Sequence, residues 1–154
     1  MSVDGLRLAR TTSADPAFRG LVRLLDAELR ATYGAVQSLY EEHNLVDAID
    51  TAIVVYAGDA PVGCGCFRAY GRDAVELKRM FVALGHRGLR VGAVIVDALE
   101  TWAKERGARR VVLETGTLQH AAMRMYARSG YEVIPNFGPY ATLPASVCMA
   151  KSIA

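Results

Sequence analysis

The sequence has few cysteines and lacks the cysteine and histidine patterns of metal-binding proteins. Only three of its 154 residues are cysteines, and two of these stand in the segment CGC. No neighbouring histidine or cysteine pair completes a metal-binding pattern there. Free cysteines prefer protein interiors, so we expect Cys64, Cys66 and Cys148 to be buried or half-buried thiols in a reducing compartment, with no bound metal.

Strong charge and long apolar runs are also lacking. The formal net charge of +2 is too small for the whole molecule to attract nucleic acid or a membrane surface. No run approaches the roughly 18 apolar residues of a membrane span, and the first 16 residues lack the apolar core of a signal peptide. The expectation is a cytoplasmic protein that binds neither nucleic acid nor membrane.

The composition is that of one globular domain spanning residues 1–154. Hydrophobic residues make up 52% of the chain and charged residues 22%. The periodicity predicts the order β α (α) β β β α β α β β, in which segment 35–50 is either a short helix or an irregular lid. Strands that precede and then alternate with helices favour an α/β mixed sheet with helices on both faces.

In two predicted elements, the pattern of apolar and polar residues is regular enough to show which side chains share a face. Alternation over 74–83 predicts a strand with Val75, Leu77, Arg79 and Phe81 on one side, and Glu76, Lys78, Met80 and Val82 on the other. The following helix carries an apolar stripe whose opposite, polar face holds Asp97, Glu100, Lys104 and Glu105.

The turn HRGLRVGA, residues 86–93, joins that strand to that helix. A glycine-containing basic turn before a helix is a layout that binds phosphates, because the first helical amides have no internal partners. An ordinary tight turn with two solvated arginines is the alternative. A dinucleotide site is disfavoured, because Gly85, Gly88 and Gly92 do not fit G-x-G-x-x-G, although Glu114 stands near the position of a ribose-binding acid.

Downstream motifs decide between these interpretations. The block ELKRMFV…HRGLRVGA…LETG…Q…A…MYARSGYEVIPNFGPY…SVC resembles the GCN5-related N-acetyltransferase (GNAT) family from about Cys64 to the end of the chain. The resemblance implies an acyl-CoA N-acyltransferase fold, in which a central, mostly antiparallel sheet has splayed fourth and fifth strands and flanking helices. It also implies acetyl-CoA as the cosubstrate.

In this family the turn [Q/R]-x-x-G-x-[G/A] wraps the pyrophosphate of acetyl-CoA. The matching residues are Arg87, Gly88, Leu89, Arg90, Val91 and Gly92, with Ala93 next in the helix. Arg90 replaces the first glycine of the pattern. An arginine resists a positive φ, so its presence argues against that conformation at position 90. The amides remain, and the side chain adds a cation.

The resemblance also implies roles for other residues. Tyr126 matches a tyrosine that lies beside the coenzyme sulfur, and the backbone of Met80, Phe81 and Val82 matches the strand that pairs with the pantetheine arm. Glu76 stands where the histone-acetylating branch carries its catalytic glutamate. A cross-strand or surface partner of Lys78 is the alternative role for Glu76, and deprotonation of the amine by bulk water would compete with it.

Further candidates are assigned less directly. Gln119 stands near a position where relatives place a coenzyme-contacting asparagine, Glu114 faces the acceptor site, and Asn136 and Tyr140 lie in a loop typical of lids. The acidic residues Glu41, Glu42, Asp47 and Asp50 attract an amine or form a solvated helix face. His86 and His120 are expected to be solvated loop residues.

These observations predict an acetyl-CoA-dependent N-acetyltransferase. It would act on the primary amine of a small-molecule or amino-acid-like acceptor by direct attack, without a covalent acyl-enzyme, as a monomer or homodimer. The alternatives are a non-catalytic acyl-CoA-binding sensor or partner protein and the disfavoured dinucleotide module.

Overall fold

The computed structural model describes residues 2–3, 5–37, 48–88 and 90–154. Its strands are β1 (Ser2–Val3), β2 (Leu6–Thr11), β3 (Ala52–Ala57), β4 (Ala60–Tyr70), β5 (Ala74–Val82), β6 (Arg110–Gly116), β7 (Glu132–Ile134) and β8 (Ser146–Ser152). Its α-helices are α1 (Pro16–Tyr33), α2 (Val91–Glu105) and α3 (His120–Arg128). Leu89 and three of the four acidic candidates (Glu41, Glu42 and Asp47) lie outside the described residues.

The described strands form one eight-stranded sheet in the order β1-β2-β3-β4-β5-β6-β8-β7. Every neighbouring pair is antiparallel except β5 and β6, which run parallel. The predicted mixed, mostly antiparallel sheet is therefore confirmed. The two-residue strand β1 is too short to have a sequence pattern of its own.

The parallel strands β5 and β6 pair over only part of their length. Their register begins at Ala74 opposite Arg110 and ends at Leu77 opposite Leu113. Strand β5 nevertheless continues to Val82, and β6 continues to Gly116. The two strands therefore diverge beyond Leu77, which confirms the splay that the resemblance implied and opens a gap in the middle of the sheet.

Helix α1 covers one face of the sheet. Its first turn is fixed locally, because the Asp15 side chain accepts a hydrogen bond from the Ala17 amide at 2.8 Å and Pro16 presets the first helical φ. Gly34, at φ 60°, ends the helix. The buried side chains of α1 pack on those of β3, β4 and β5, in a cluster that includes Phe18, Leu21, Leu25, Val54, Cys64, Cys66 and Phe81.

Helices α2 and α3 cover the other face. Ile95, Leu99 and Trp102 of α2 pack in one cluster with Leu77, Val111 and Leu113 of the sheet and with Tyr126 of α3. The prediction that Glu100 lies on the exposed polar face of α2 is wrong, because only 7% of the residue is exposed. Its two oxygens accept hydrogen bonds of 2.8 Å from the Tyr131 hydroxyl and the Lys151 ammonium, and these partners offset the cost of burying the carboxylate.

A bulge interrupts the alternation of β5. Cys66 pairs with Lys78, but Cys64 pairs with Phe81, so β5 advances three residues while β4 advances two. Arg79 lies in this step with φ 58°. Phe81 consequently packs against α1, whereas Val75 and Leu77 pack with α2. The predicted placement of Arg79 and Phe81 on the same face as Val75 and Leu77 is therefore wrong.

Among the described helices, none combines the length and apolar character needed to cross a membrane.

Candidate functional site

The divergence of β5 and β6 opens a cleft with a cavity of about 100 Å³. Its walls come from α1, from 77–80 of β5, from 114–116 of β6 and from α3. Four predicted site residues lie together in these walls, namely Met80, Glu114, Gln119 and Tyr126. Tyr33, Lys78 and Arg79 also line the cleft, although the sequence had assigned them no role in the site.

Glu114 is the carboxyl group of the cleft wall on β6. It is half-buried, and one of its oxygens accepts a hydrogen bond of 2.7 Å from the Ser146 hydroxyl. Burial raises the pKa of Glu114 to about 7, against the opposing effects of that hydrogen bond and of the Lys78 charge. A carboxyl that titrates near neutral pH both accepts and releases protons readily, which suits a general base.

Glu76 lies in a buried polar network rather than in the cleft wall. It is 2% exposed, and its Oε1 accepts a hydrogen bond of 3.2 Å from Arg68 Nε. Its Oε2 accepts one of 2.8 Å from the Tyr140 hydroxyl and lies 3.6 Å from Lys78 Nζ. The contact with Lys78 that was the alternative role for Glu76 is thus present. Its role as a base stays a prediction.

The predicted loop residues Asn136 and Tyr140 lie outside the cleft wall. The Asn136 side chain donates to the backbone oxygens of Tyr140 at 3.3 Å and Ser146 at 3.1 Å, which ties the ends of the loop together. Tyr140 is 1% exposed and accepts a hydrogen bond of 3.1 Å from Lys78. Asn136 thus holds Tyr140 in place, and Tyr140 contacts Lys78 of the β5 wall.

Two cations of β5 face the cleft. Burial lowers the pKa of Lys78 from its ordinary value, while the nearby Glu76 carboxylate opposes that change. Arg79 forms an ion pair with Asp26 of α1, and its side chain is 4% exposed. Among the described residues, nothing accepts a hydrogen bond from its buried Nε. The alternating pattern of β5 gave no signal for Arg79, because the bulge alone turns this residue toward α1.

Tyr126 presents a neutral phenol to the cleft. The residue is 5% exposed, and its ring packs edge-on against that of Tyr131 with centroids 5.8 Å apart. Burial raises the pKa of Tyr126 far above its ordinary value, and the charge of Glu114 adds to this effect. The hydroxyl therefore keeps its proton at neutral pH, and its role beside the coenzyme sulfur stays a prediction.

Gln119 and Tyr33 close one end of the cleft over Gly116. Gln119 Oε1 accepts a hydrogen bond of 2.8 Å from the Gly116 amide. The Tyr33 hydroxyl accepts one of 3.2 Å from the Leu118 amide. A Cβ atom on Gly116 would overlap the Tyr33 ring and hydroxyl. Close approach of α1 to β6 therefore requires glycine here, and only the three-dimensional structure shows that requirement.

The predicted phosphate turn follows the end of β5, the strand that lines the cleft. The amides of 91–93 precede the first helical hydrogen bond of α2, which runs from Val94 N to Arg90 O at 3.0 Å. Gly88 has φ 81°, and a Cβ atom there would meet nothing. Arg90 has φ 65°, so the argument against a positive φ at this position is wrong. The exposed turn accommodates the left-handed conformation at an arginine.

The two arginines of this turn differ in their surroundings. Arg87 donates from Nε to Val82 O and from a terminal nitrogen to Glu28, both at 2.7 Å, so it ties the turn to β5 and α1. Arg90 is exposed and makes no capping hydrogen bond to α2. Amides at the start of a helix, a glycine with positive φ and an exposed cation form a turn whose chemistry suits a diphosphate.

The three cysteines are all buried, as predicted. Cys64 and Cys66 donate weak hydrogen bonds to the Arg79 and Lys78 carbonyl oxygens at 3.4 and 3.3 Å. Burial raises the pKa of Cys66 to about 12, and it raises those of Cys64 and Cys148 as well. His86 is half-buried, and His120 is exposed at the start of α3.

Comparisons with known proteins define the class. The model of the acetyltransferase (GNAT) family matches residues 18–131. The chain is 30% identical to an IAA acetyltransferase from Azospirillum brasilense, over 95% of this chain and 97% of that protein. A solved structure described as an acyl-CoA N-acyltransferase from Klebsiella pneumoniae superposes with a TM-score of 0.80 at 30% identity, covering 97% of this chain and 98% of that one.

A more distant structure shows the same fold. The PaiA N-acetyltransferase from Thermoplasma acidophilum, solved with coenzyme A, has a TM-score of 0.70 at 14% identity and covers 99% of each chain. The chain belongs to the acetyltransferase (GNAT) family. It is an N-acetyltransferase, and acetyl-CoA is its cosubstrate.

Proposed function

We propose that the protein transfers the acetyl group of acetyl-CoA to the primary amine of a small-molecule or amino-acid-like acceptor by direct attack. The observation that carries this proposal is the pairing of two groups in one cleft. Glu114 has a pKa raised to about 7, and Tyr126 keeps its proton. The reaction needs one group that accepts a proton from the amine and another that donates to the departing sulfur.

The proposed coenzyme site follows the open edge of β5 to the start of α2. The amides of 91–93, with Gly88 and Arg90, would hold the diphosphate. Beyond Leu77 the edge of β5 that faces β6 has no strand partner among the described residues, which leaves the backbone of 80–82 for the pantetheine arm. The coenzyme supplies an activated thioester, and Gln119 lies at the closed end of the cleft.

Glu114 and Tyr126 divide the proton transfers. The Glu114 carboxylate removes a proton from the acceptor ammonium, which frees the lone pair of the nitrogen. The new C–N bond forms as the C–S bond breaks, and the second proton of the nitrogen leaves to solvent. Tyr126 protonates the departing thiolate and regains a proton from solvent, and Glu114 releases its proton to solvent. The net products are the N-acetyl compound, the free coenzyme thiol and one proton.

The surroundings of the cysteines support direct attack over a covalent acyl-enzyme. A thiol is nucleophilic as its thiolate, and burial raises the pKa values of Cys64 and Cys66. Neither residue lines the cleft. The cytoplasmic location and the monomeric or homodimeric state remain part of the proposal as predictions from the sequence.

The first prediction separates the two candidate carboxylates. In Glu114→Gln, kcat/KM is expected to fall by about 10²-fold or more, because the base is lost. The rise of kcat/KM with pH near 7 should disappear, since the pKa of Glu114 is raised to about 7. The measurement is coenzyme release from acetyl-CoA between pH 6 and 9, with a panel of amino acids, polyamines, aminoglycosides and peptides as acceptors.

Glu76→Gln provides the matched comparison. This variant should lower kcat/KM less than Glu114→Gln does, because Glu76 lies outside the cleft wall. The rise of kcat/KM with pH near 7 should remain. A rise that survives in Glu114→Gln and vanishes in Glu76→Gln would instead assign the base to Glu76. Thermal stabilisation by acetyl-CoA without coenzyme release from any amine would favour the non-catalytic acyl-CoA binder.

A further inference from the structure

Strand β5 directs two buried cations at the cleft, and the proposed chemistry uses neither. The side chains of Lys78 and Arg79 are each 4% exposed, and both line the cavity. Charged groups in such places are costly to bury unless their partners are complete. Lys78 has partners in Glu76 and the Tyr140 hydroxyl, so the burial cost at Arg79 is the one that points to a function in the cleft.

Arg79 is the less completely paired of the two within the described part of the chain. Asp26 is its ion-pair partner, and a third of the Asp26 side chain is exposed to solvent. The Arg79 Nε is buried without a hydrogen-bond acceptor among the described residues. The residue also holds a φ of 58°, which an arginine adopts at a cost. An unpaired donor and a strained backbone thus coincide at one cleft residue.

Among the described residues, three cations (Arg68, Lys78 and Arg79) pair with only two acids, Glu76 and Asp26. Glu76 is shared among Arg68, Lys78 and the Tyr140 hydroxyl. Glu114, on the opposite wall, is only partly ionised at neutral pH because burial raises its pKa to about 7. The cleft therefore presents cations on one wall and a proton acceptor on the other.

We infer that the acceptor carries a carboxylate beside its amine, and that Arg79, with Lys78 next to it, binds this carboxylate while the amine faces Glu114. The inference rests on the proposed function and narrows its substrate class to amino acids and related amines. A guanidinium matches a carboxylate because its planar donors fit two oxygens. Leu25 and Leu29 of α1 add apolar wall for the body of the acceptor.

The test uses matched acceptors that differ only in the carboxylate. Each of a set of amino acids is compared with its own carboxamide, with coenzyme release measured at saturating acetyl-CoA. We expect kcat/KM to be at least about tenfold higher for the acids, although the carboxamide amine loses its proton more readily. In Arg79→Gln the KM of the acids should rise about tenfold or more, while that of the carboxamides stays constant.

Arg23→Gln is the matched control, since Arg23 is an exposed arginine of α1. It should leave the preference for acids unchanged. Because Arg79→Gln leaves Asp26 without its partner, the double variant Arg79→Gln/Asp26→Asn is measured alongside. Thermal stabilisation by acetyl-CoA verifies the fold of each variant. If the Arg79 variants do not fold, the comparison of acids and carboxamides on the unmodified protein still tests whether the cleft recognises the acceptor carboxylate.

The outcomes separate this inference from the proposed function. Carboxamides or simple alkylamines that react as well as the acids would overturn the inference and leave N-acetyl transfer standing. A preference for acids that persists in folded Arg79 variants would overturn the role of Arg79. Absence of coenzyme release with every amine would overturn both the inference and the proposed function.

Discussion

Among the described glycines, Gly116 is the one where an added Cβ atom would come closest to another residue. In Gly116→Ala, the new Cβ atom would overlap the Tyr33 ring and hydroxyl. We expect Tyr33 to leave the Leu118 amide and α1 to shift outward. The free energy of unfolding should fall by about 1–3 kcal/mol, measured by urea denaturation, and coenzyme release should fall with it.

Two further variants control this prediction. Gly85→Ala adds the same methyl group where nothing lies within 4 Å of the new atom, so its stability should be close to that of the unmodified protein. The double variant Gly116→Ala/Tyr33→Ala removes the clashing ring, and it should be less destabilised than the sum of the two single variants. Simple additivity of the three measurements would contradict the proposed overlap.

Single residues of the site were only partly predictable from the sequence. Glu114 and Tyr126 could be proposed from the sequence because their motifs are local, and the structure places both in the cleft wall. The proposed preference for Glu114 over Glu76 as the base could not, since it depends on which carboxyl faces the cleft and on burial that raises the pKa of Glu114 to about 7. Arg79 was missed because its ion-pair partner Asp26 lies 53 positions earlier in the chain.

At the scale of secondary-structure elements, the start of α2 combines a binding role with backbone strain. Arg90 holds φ 65° just before the helix. Arg90→Gly should raise the free energy of unfolding of the ligand-free protein by about 0.5–1 kcal/mol, since glycine adopts this conformation freely. The same change should weaken acetyl-CoA binding a few-fold at low ionic strength, because a cation near the diphosphate is lost.

Arg90→Ala distinguishes the two effects. It removes the cation but keeps the strain, so its affinity should fall as in Arg90→Gly without the gain in stability. Isothermal titration at low and high salt measures the affinity, and the loss should shrink as salt screens the charge. Unchanged affinity in both variants would show that Arg90 makes no contribution to coenzyme binding.

Elements were predictable where their signals are local. The predicted order of strands and helices and the apolar stripe of α2 depend on local periodicity, and the structure confirms those elements. The bulge in β5 has no such pattern, because it is a mismatch of register with β4. Burial of Glu100 depends on Tyr131 and Lys151, which are 31 and 51 positions away.

At the scale of the whole molecule, Glu114 links stability to pH. Its ordinary pKa of 4.5 applies to the unfolded chain, whereas burial raises the value to about 7 in the folded protein. Between these values the folded state holds one more proton than the unfolded state. The free energy of unfolding therefore contains a contribution from Glu114 that is complete below pH 4.5 and is lost as pH rises through 7.

Glu114→Gln should remove this dependence. Relative to the unmodified protein, the variant should gain about 1–3 kcal/mol in the free energy of unfolding between pH 5 and 7 and then keep a constant difference to pH 8. Urea denaturation at each pH gives the comparison, in which the titration of other carboxylates cancels. A difference that does not vary with pH would contradict the raised pKa of Glu114. Burial causes this rise and the Glu76 charge adds to it, whereas the Ser146 hydrogen bond and the Lys78 charge oppose it.

The burial of every sulfhydryl in the chain has a practical consequence at this scale. All three cysteines are inaccessible in the folded protein, so a chromogenic disulfide reagent would find almost nothing to modify on the native enzyme. In a turnover assay its colour would then count released coenzyme with little background. After denaturation the same reagent would titrate three equivalents per chain, so one dye reports both turnover and the fraction of enzyme that has unfolded.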